Sequence, residues 1–550
     1  MKRKVFSILA LLCLAVSSAW AETIDLTTVT ASKTAQDGDV LTGTLDGATQ
    51  KYKISIADNA TVTLDGVTIN GVTDGAADAS KSTVNWAGLT CEGNATIILK
   101  EGTTNTVRGF YHRCPGIFVP QGYTLTIDGT GTLNASGSIS TEANHVDKIG
   151  NLITCAPGIG SAVLATAGNI VINGGTINAT GGWASASIGG NFITGCGNIT
   201  ITGGTVNATG SLAAAGIGGG WVASCGDIAI TGGTINATGG DYINSDATGN
   251  DGGPAIGGSP CGSCGTITIG GTANVTVTKG LGVPYSIGQG GSWNNVSASC
   301  GTVTVFGVEG QISNSPYTCI SLSEESDNSK TLTMYDGQTA DVNLTRTLQT
   351  GGWNTFAAPF SMAIPAGWTV KELESATLES STLTLNFRNA ASLVAGNPYL
   401  VKVTADADLS AAAYTGVIVS SAAVPTTTEV VDFIPTLGKT TIKNDVKSIL
   451  FLGAANKLHH PSAENQDIKG FRAYFQLKGD GANVKSFMLN LGDGETTGIQ
   501  TIDNGRFLDE PSGKAERTMD NSVFDLQGRR INKAAQKGVY IVNGKKTIIK

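Results

Sequence analysis

Apolar residues alternate with Thr or Asn in a phrase that this chain repeats. In one-letter code, GNIVINGGTINATGG from Gly168 returns as GNITITGGTVNATGS from Gly197 and as GDIAITGGTINATGG from Gly226. Looser copies begin at Gly265 and Gly301, so the spacing is 29 residues for the tight copies and then 39 and 36. Within one copy Ile199 and Ile201, then Val206 and Ala208, fall on one side, the period of two of a strand with one face inward. Gly203 and Gly204 separate these two strands, where a corner needs backbone angles that a side chain resists. A third short segment follows at Ala215 and Ile217, and the Ile217 position recurs as Ile159, Ile188, Ile256 and Ile287. Three short strands in a fixed period predict a solenoid whose units bury their apolar side only against their neighbours. The expected fold is all-β, with a right-handed parallel β-helix in which each ladder isoleucine contributes roughly 1.5–3 kcal/mol by burial.

Other coils are expected around Leu64, Leu99 and Ile127, with later strands near Val305 and from Lys330 to Gly337, for eight or nine coils in all. The strand-rich but aperiodic run from Ile24 to Lys53 reads as an N-terminal cap. Near Asp341 the glycine repeat stops. Short strands between turn signals follow at Asn354–Phe360, Ser381–Phe387, Asn397–Val403, Ser448–Gly453 and Phe471–Leu477, the pattern of an antiparallel β-sandwich. The domains read as a leader over 1–21, the β-helix over 22–342, the sandwich over 343–492, a polar linker over 493–521 and a small C-terminal β domain over 522–550.

Composition adds a compartment. Lys2, Arg3 and Lys4 precede an apolar run from Val5 to Val16 and an Ala19-Trp20-Ala21 site. This is the pattern of a secretory signal peptide, too short for a membrane span, and no later segment is apolar enough for one. The mature protein is therefore expected outside the cell or on its outer surface. A formal net charge of -8 without a basic run outside the termini leaves a nucleic acid nothing to hold. Cys196, Cys225, Cys264 and Cys300 each precede the repeat glycine, where the first copy has Ala167. A slot that accepts Ala or Cys predicts small buried side chains stacked about 4.8 Å apart. Cys261 and Cys264 also form a C-x-x-C pair, read as ladder geometry because a zinc site needs a second pair or a His.

The repeat is almost uncharged. Between Asn151 and Val308 the formal charges are Asp227, Asp241, Asp246, Asp251 and Lys279, which supplies no paired carboxyl groups for glycoside hydrolysis. Asp241, Asp246 and Asp251 share one inserted loop, a calcium site if they converge and a solvated loop otherwise; no other cofactor is expected. Arg108, Tyr111, His112 and Arg113 sit together ahead of Cys114. With Glu101 or Asp128 nearby they would suit an acidic sugar, because Arg pairs bidentately with carboxylates; the plain reading is an exposed loop. Phe192 and Trp221 fall four residues after a ladder isoleucine and Trp293 six after Ile287. These rings are expected on one side of the stack, with Trp183 and Tyr242 on a second edge. Rings flanked by Asn and Thr suit the apolar faces and hydroxyls of sugars; the competing reading is that they shield the ladder from water.

The last residues carry a resemblance. "VFDLQGRRI" from Val523 and "KGVYIVNGKKTIIK" from Lys537 resemble the C-terminal sorting domain of proteins exported by the type IX secretion system of Bacteroidota. The matching positions are Phe524, Asp525, Leu526, Gly528 and Arg529, then Gly538 to Val542 with Tyr540, then Lys545 and Lys546. The resemblance implies the secretion machinery as a partner of the tail. The glycine-rich coils are similar to carbohydrate-binding and adhesin-like β-helix proteins of gut and oral bacteria, which implies an extracellular polysaccharide or host glycan as ligand. The expected function is non-catalytic glycan binding. The alternatives are a polysaccharide lyase or glycoside hydrolase near Arg108, and a structural spacer that displays the sandwich.

Overall fold

The computed structural model describes residues 21–492 apart from 73–84, 111–112, 138–155, 163–164, 243–251, 294–295, 444–447, 454–455, 462–464, 480–483 and 485, together with the backbone of the tail strands. The chain divides between Gln500 and Thr501 into two compact units.

The repeat folds as the alternation requires, into a parallel β-helix with three faces. On the first face Ile170, Ile199, Ile228, Ile267 and Val303 stack in parallel register. On the second, Ile177, Val206, Ile235 and Val275 do the same. The third face carries the isoleucine ladder Ile117, Ile159, Ile188, Ile217, Ile256 and Ile287, in a sheet of nine strands among the described residues. All these side chains are buried in one continuous core. The outward positions of the second face are tied as well. Asn134, Asn178, Asn207 and Asn236 pass a chain of amide hydrogen bonds from coil to coil at 2.8, 2.7 and 2.9 Å. What the sequence shows as a recurring Asn-Ala-Thr is thus an external polar ladder.

Two expectations change. The run after Ile24 is no separate cap: Thr23–Asp25 pairs in parallel with Val40–Asp46, which pairs with Ala60–Asn70. Its period of two is hidden by a register shift between Thr42 and Thr44, at Gly43, whose φ is 77°. The segment from Lys330 is no strand: Ser329–Met334 is a helix. Leu332 is its buried residue and Tyr335, buried, follows its C-terminal end, and Asp327 accepts the Ser329 N–H at 3.0 Å to start the turn. Neighbouring packing, not the Thr alternation, sets that segment.

The stack ends where Tyr317–Ser323 crosses Asn274–Thr278 antiparallel. Tyr317 and Cys319 close the solenoid core, and Ile320 and Leu322 open a second one. Beyond it two sheets face each other. One holds Asn354–Phe356, Tyr399–Val403, Trp368–Glu379, Thr382–Asn389 and Ser486–Asn490; the other holds Val431–Thr436, Arg472–Leu477 and Ile449–Leu452. Phe387 of the first meets Phe433 and Phe475 of the second at 6.1 and 6.4 Å between ring centroids. The strands pair antiparallel except Thr382–Asn386 on Ser486–Asn490. In the tail unit Val523–Phe524, Arg530–Ile531, Gly538–Val542 and Lys545–Ile549 form one antiparallel sheet. Asp525, Leu526, Gly528 and Arg529 lie outside the described residues, as do residues 1–20.

The cysteine slot is a thiol column, buried at Cys196, Cys225 and Cys264 and half-buried at Cys300. Cys264 and Cys300 are register partners, and the Cys225 and Cys300 thiols lie 3.9 and 3.7 Å from the carbonyl oxygens of Gly257 and Gly265. Cys261 instead turns to the Val296 carbonyl at 3.3 Å, so the C-x-x-C pair does not converge. Burial pushes Cys91, Cys196 and Cys319 from 9.0 up to about 12. An unfolded chain loses these protons first, so the stability they support is whole below pH 9 and is lost as pH rises towards 12. Urea midpoints are expected to fall across that window, and Cys196→Ala, which copies Ala167, is expected to flatten the fall. An unchanged slope in that variant would refute the assignment.

Candidate functional site

Four rings gather on one corner of the solenoid. Trp183 and Tyr242 follow second-face strands, while Phe192 and Trp221 follow third-face strands. Trp183 lies 5.6 Å from Phe192 and 5.9 Å from Trp221, Phe192 lies 5.7 Å from Trp221, and Tyr242 lies 5.3 Å from Trp221. The two edges expected from the sequence are therefore one cluster. Stacking brings the loop of one coil beside the turn of the next, a closeness that sequence spacing does not express. Trp293 sits in a small hairpin, Ser292–Trp293 with Val296–Ser297; its side chain lies outside the described residues.

The turns that carry the rings are built, not loose. Asn191 is wholly buried. Its side-chain oxygen accepts the N–H groups of Ile193 and Thr194 at 2.9 Å each, and its own N–H donates to Ser161 at 2.8 Å. That fixes the turn holding Phe192. Trp221 donates its backbone N–H to the Ala184 carbonyl at 3.0 Å. Ala184 and Ala213, equivalent in the repeat, have φ of 54° and 60° and pack beneath the rings.

The burial is uneven across the four rings. Trp221 is the centre of a satellite core, only 7% exposed, as the shielding reading expects. Trp183, Phe192 and Tyr242 are half-buried around it. Beside them Ile193 and Val222 are 48% and 41% exposed, each five residues after a ladder isoleucine. That recurrence is readable in the repeat. Buried and open rings together give a firm apolar shelf on a nearly neutral scaffold. Asp241, the nearest formal charge in sequence, accepts the Leu281 N–H at 2.8 Å.

The other candidates do not assemble in this way. Arg108 ends the strand Thr104–Arg108 on the second face, paired with Asn70 and Ser136. Glu101 precedes the start of that strand, and four residues at about 3.3 Å each set the strand's two ends roughly 13 Å apart. Asp128 lies on the first face beside Ile98 and accepts the Gly129 N–H at 2.7 Å. Neither acid is placed as a partner for Arg108. Tyr111 and His112 lie outside the described residues, and Arg113 is half-buried. Asp246 and Asp251 of the loop proposed for calcium also lie outside them. Among the described residues no group of three His, Cys, Asp or Glu is arranged to hold a metal ion, and no helix is long and apolar enough to cross a membrane.

A beta-helix-repeat family model matches residues 170–192 and 199–221, the two coils that carry Phe192 and Trp221. No curated protein and no solved structure matches the chain.

Proposed function

We propose that the corner formed by Trp183, Phe192, Trp221 and Tyr242 binds a neutral glycan without catalysis, in a protein exported to the cell surface or beyond. One observation carries the reading: a buried tryptophan holds three half-exposed rings across successive coils, in a segment with almost no charge. Rigid rings offer broad apolar area to the faces of sugar rings, while neighbouring Asn and Thr can meet hydroxyls. Among the described residues packed in this cluster none is cationic, so a neutral polysaccharide or host glycan is the ligand class. The leader and the sorting-domain-like tail support export, with the secretion machinery as the partner of the tail.

The full chain screened on a glycan array is the test. Trp183→Ala with Tyr242→Ala removes open rings and leaves Trp221 as the packing centre. This double variant is expected to lose about tenfold or more in affinity, since each ring contact contributes about 0.5–1.5 kcal/mol. Affinity within threefold of the parent protein would sink the site. Release of unsaturated or reducing ends from a polysaccharide panel would replace binding by catalysis. Export has a separate readout: mass spectrometry of the mature protein is expected to find Glu22 at the N-terminus.

A further inference from the structure

Where the parallel stack ends, no further coil covers the first face, and a cavity of about 220 Å³ remains between the last coil and the second core. Its apolar wall comes from Phe306, Ile312, Tyr317, Val342 and Tyr414, and its charged groups are Glu309 and Asp341. No Lys, Arg or His lines it.

The walls are held in place at some cost. Phe306 and Gly307, with φ of 46° and 79°, make the two-residue turn between Val303–Val305 and Val308–Glu309. Such turns favour Asn-Gly, and a bulky residue at positive φ is an outlier. Strain of this kind persists where surrounding structure enforces it, and it gathers at ligand sites. Tyr414 is backed by Phe360 at 4.9 Å, which fixes its ring. Asp341 accepts the Tyr317 hydroxyl at 3.0 Å and the Gly416 N–H at 2.8 Å. The carboxylate is thereby aimed by two donors that bring no positive charge.

We propose that this cavity binds an organic ammonium ion, a positively charged nitrogen on a small apolar body. Aromatic faces attract such cations, and two carboxylates without a basic partner add to the attraction. The same two charges repel an anion, and a purely apolar guest would strip water from them without compensation. The volume is below that of a drug-sized pocket and suits one quaternary ammonium group or one amino-sugar ring. This site is independent of the aromatic corner.

Choline and glucosamine, titrated into the full chain by NMR, represent the two sources of that chemistry; 3,3-dimethylbutanol and glucose are their neutral counterparts. At least one cation is expected to bind roughly tenfold tighter than its neutral counterpart, and which of them does so names the source. Glu309→Gln, in an exposed hairpin, is expected to weaken that binding severalfold and reduce its salt dependence, with unchanged melting. Tyr414→Leu is expected to weaken it while keeping an apolar wall, and Trp183→Ala to leave it unaltered. Equal binding of cation and neutral counterpart would overturn the proposal, as would the absence of saturable binding by both cations.

Discussion

Gly218→Ala is expected to be among the most damaging single substitutions in the solenoid, costing on the order of 3–5 kcal/mol. The ladder isoleucines from Ile159 to Ile287 are each followed by glycine, and Gly160, Gly189, Gly218, Gly257 and Gly288 have φ between 133° and 147°. A side chain resists that conformation. Space forbids it too: a Cβ on Gly218 would lie 2.1 Å from the Gly257 carbonyl oxygen, and one on Gly189 would lie 2.0 Å from that of Gly218. Each glycine thus lets the next coil approach closely enough for Gly219 to donate to Gly257 at 2.9 Å and Gly190 to Gly218 at 2.9 Å. Alanine must either push the coils apart or twist the strand, and both expose the Ile188, Ile217 and Ile256 column. Coils in a solenoid touch only their neighbours, so the split would be local but would separate two halves of the stack.

Two controls isolate the cause. Gly102 has φ of 73° with nothing within 4 Å of its Cβ position, so Gly102→Ala tests conformational strain alone, about 1–2 kcal/mol. Gly270 has free space and no positive φ, so Gly270→Ala is expected to be neutral or slightly stabilising through the unfolded chain. Urea unfolding of the three variants gives the comparison. A Gly218→Ala midpoint near that of Gly270→Ala would show that the third face does not hold the stack together.

The same ladder explains how much was legible in the sequence. Period-two alternation, the isoleucine column and the Ala-or-Cys slot are local signals repeated at a fixed interval, and strand, register and core follow from them directly. Legibility fails where a signal is interrupted or where proximity arises only from stacking. The bulge at Gly43 shifted the alternation, so coils beginning at Thr23 resembled an irregular cap. Trp183 and Tyr242 stand on different turns from Phe192 and Trp221, and only the coil-to-coil approach unites them. Exposure is also invisible in a repeat: Trp221 and Phe192 hold the same slot, yet one is a packing centre and the other half open. The ammonium site draws on residues from 305 to 415, too far apart for any spacing rule. Arg346 gave no sequence signal at all, being one arginine among threonines at a strand end.

That arginine carries the largest effect expected in the second core: Arg346→Ala should cost about 3–5 kcal/mol, because it removes two buried hydrogen bonds from a charged donor at about 1.5–3 kcal/mol each. Its side chain is fully buried. One terminal nitrogen donates to the Thr355 carbonyl at 2.6 Å and the other to the Phe471 carbonyl, while the guanidinium lies 5.4 Å over the Phe356 ring. These carbonyls are its main partners, because Glu324 approaches only to 3.8 Å and has its closer bond, 2.8 Å, with Arg472. Burial pushes the guanidinium down to about 9, with the charge of Arg472 adding to that and Glu324 opposing it. Part of what the hydrogen bonds contribute therefore offsets lost hydration, so the net value of the arginine is modest while the cost of its absence is large. Phe471, at φ of 57° and wholly buried, would keep only the Ala357 N–H on its carbonyl, at 3.1 Å. Arg346→Met refills the volume and is expected to recover part of the loss. Arg346→Lys is expected to recover less than a full pair of bonds, since one ammonium cannot copy the planar fork. Denaturant unfolding of the three variants reads the order directly. A loss below about 1 kcal/mol for Arg346→Ala would mean that water reaches both carbonyls, and the second core would then be held by its aromatic contacts alone.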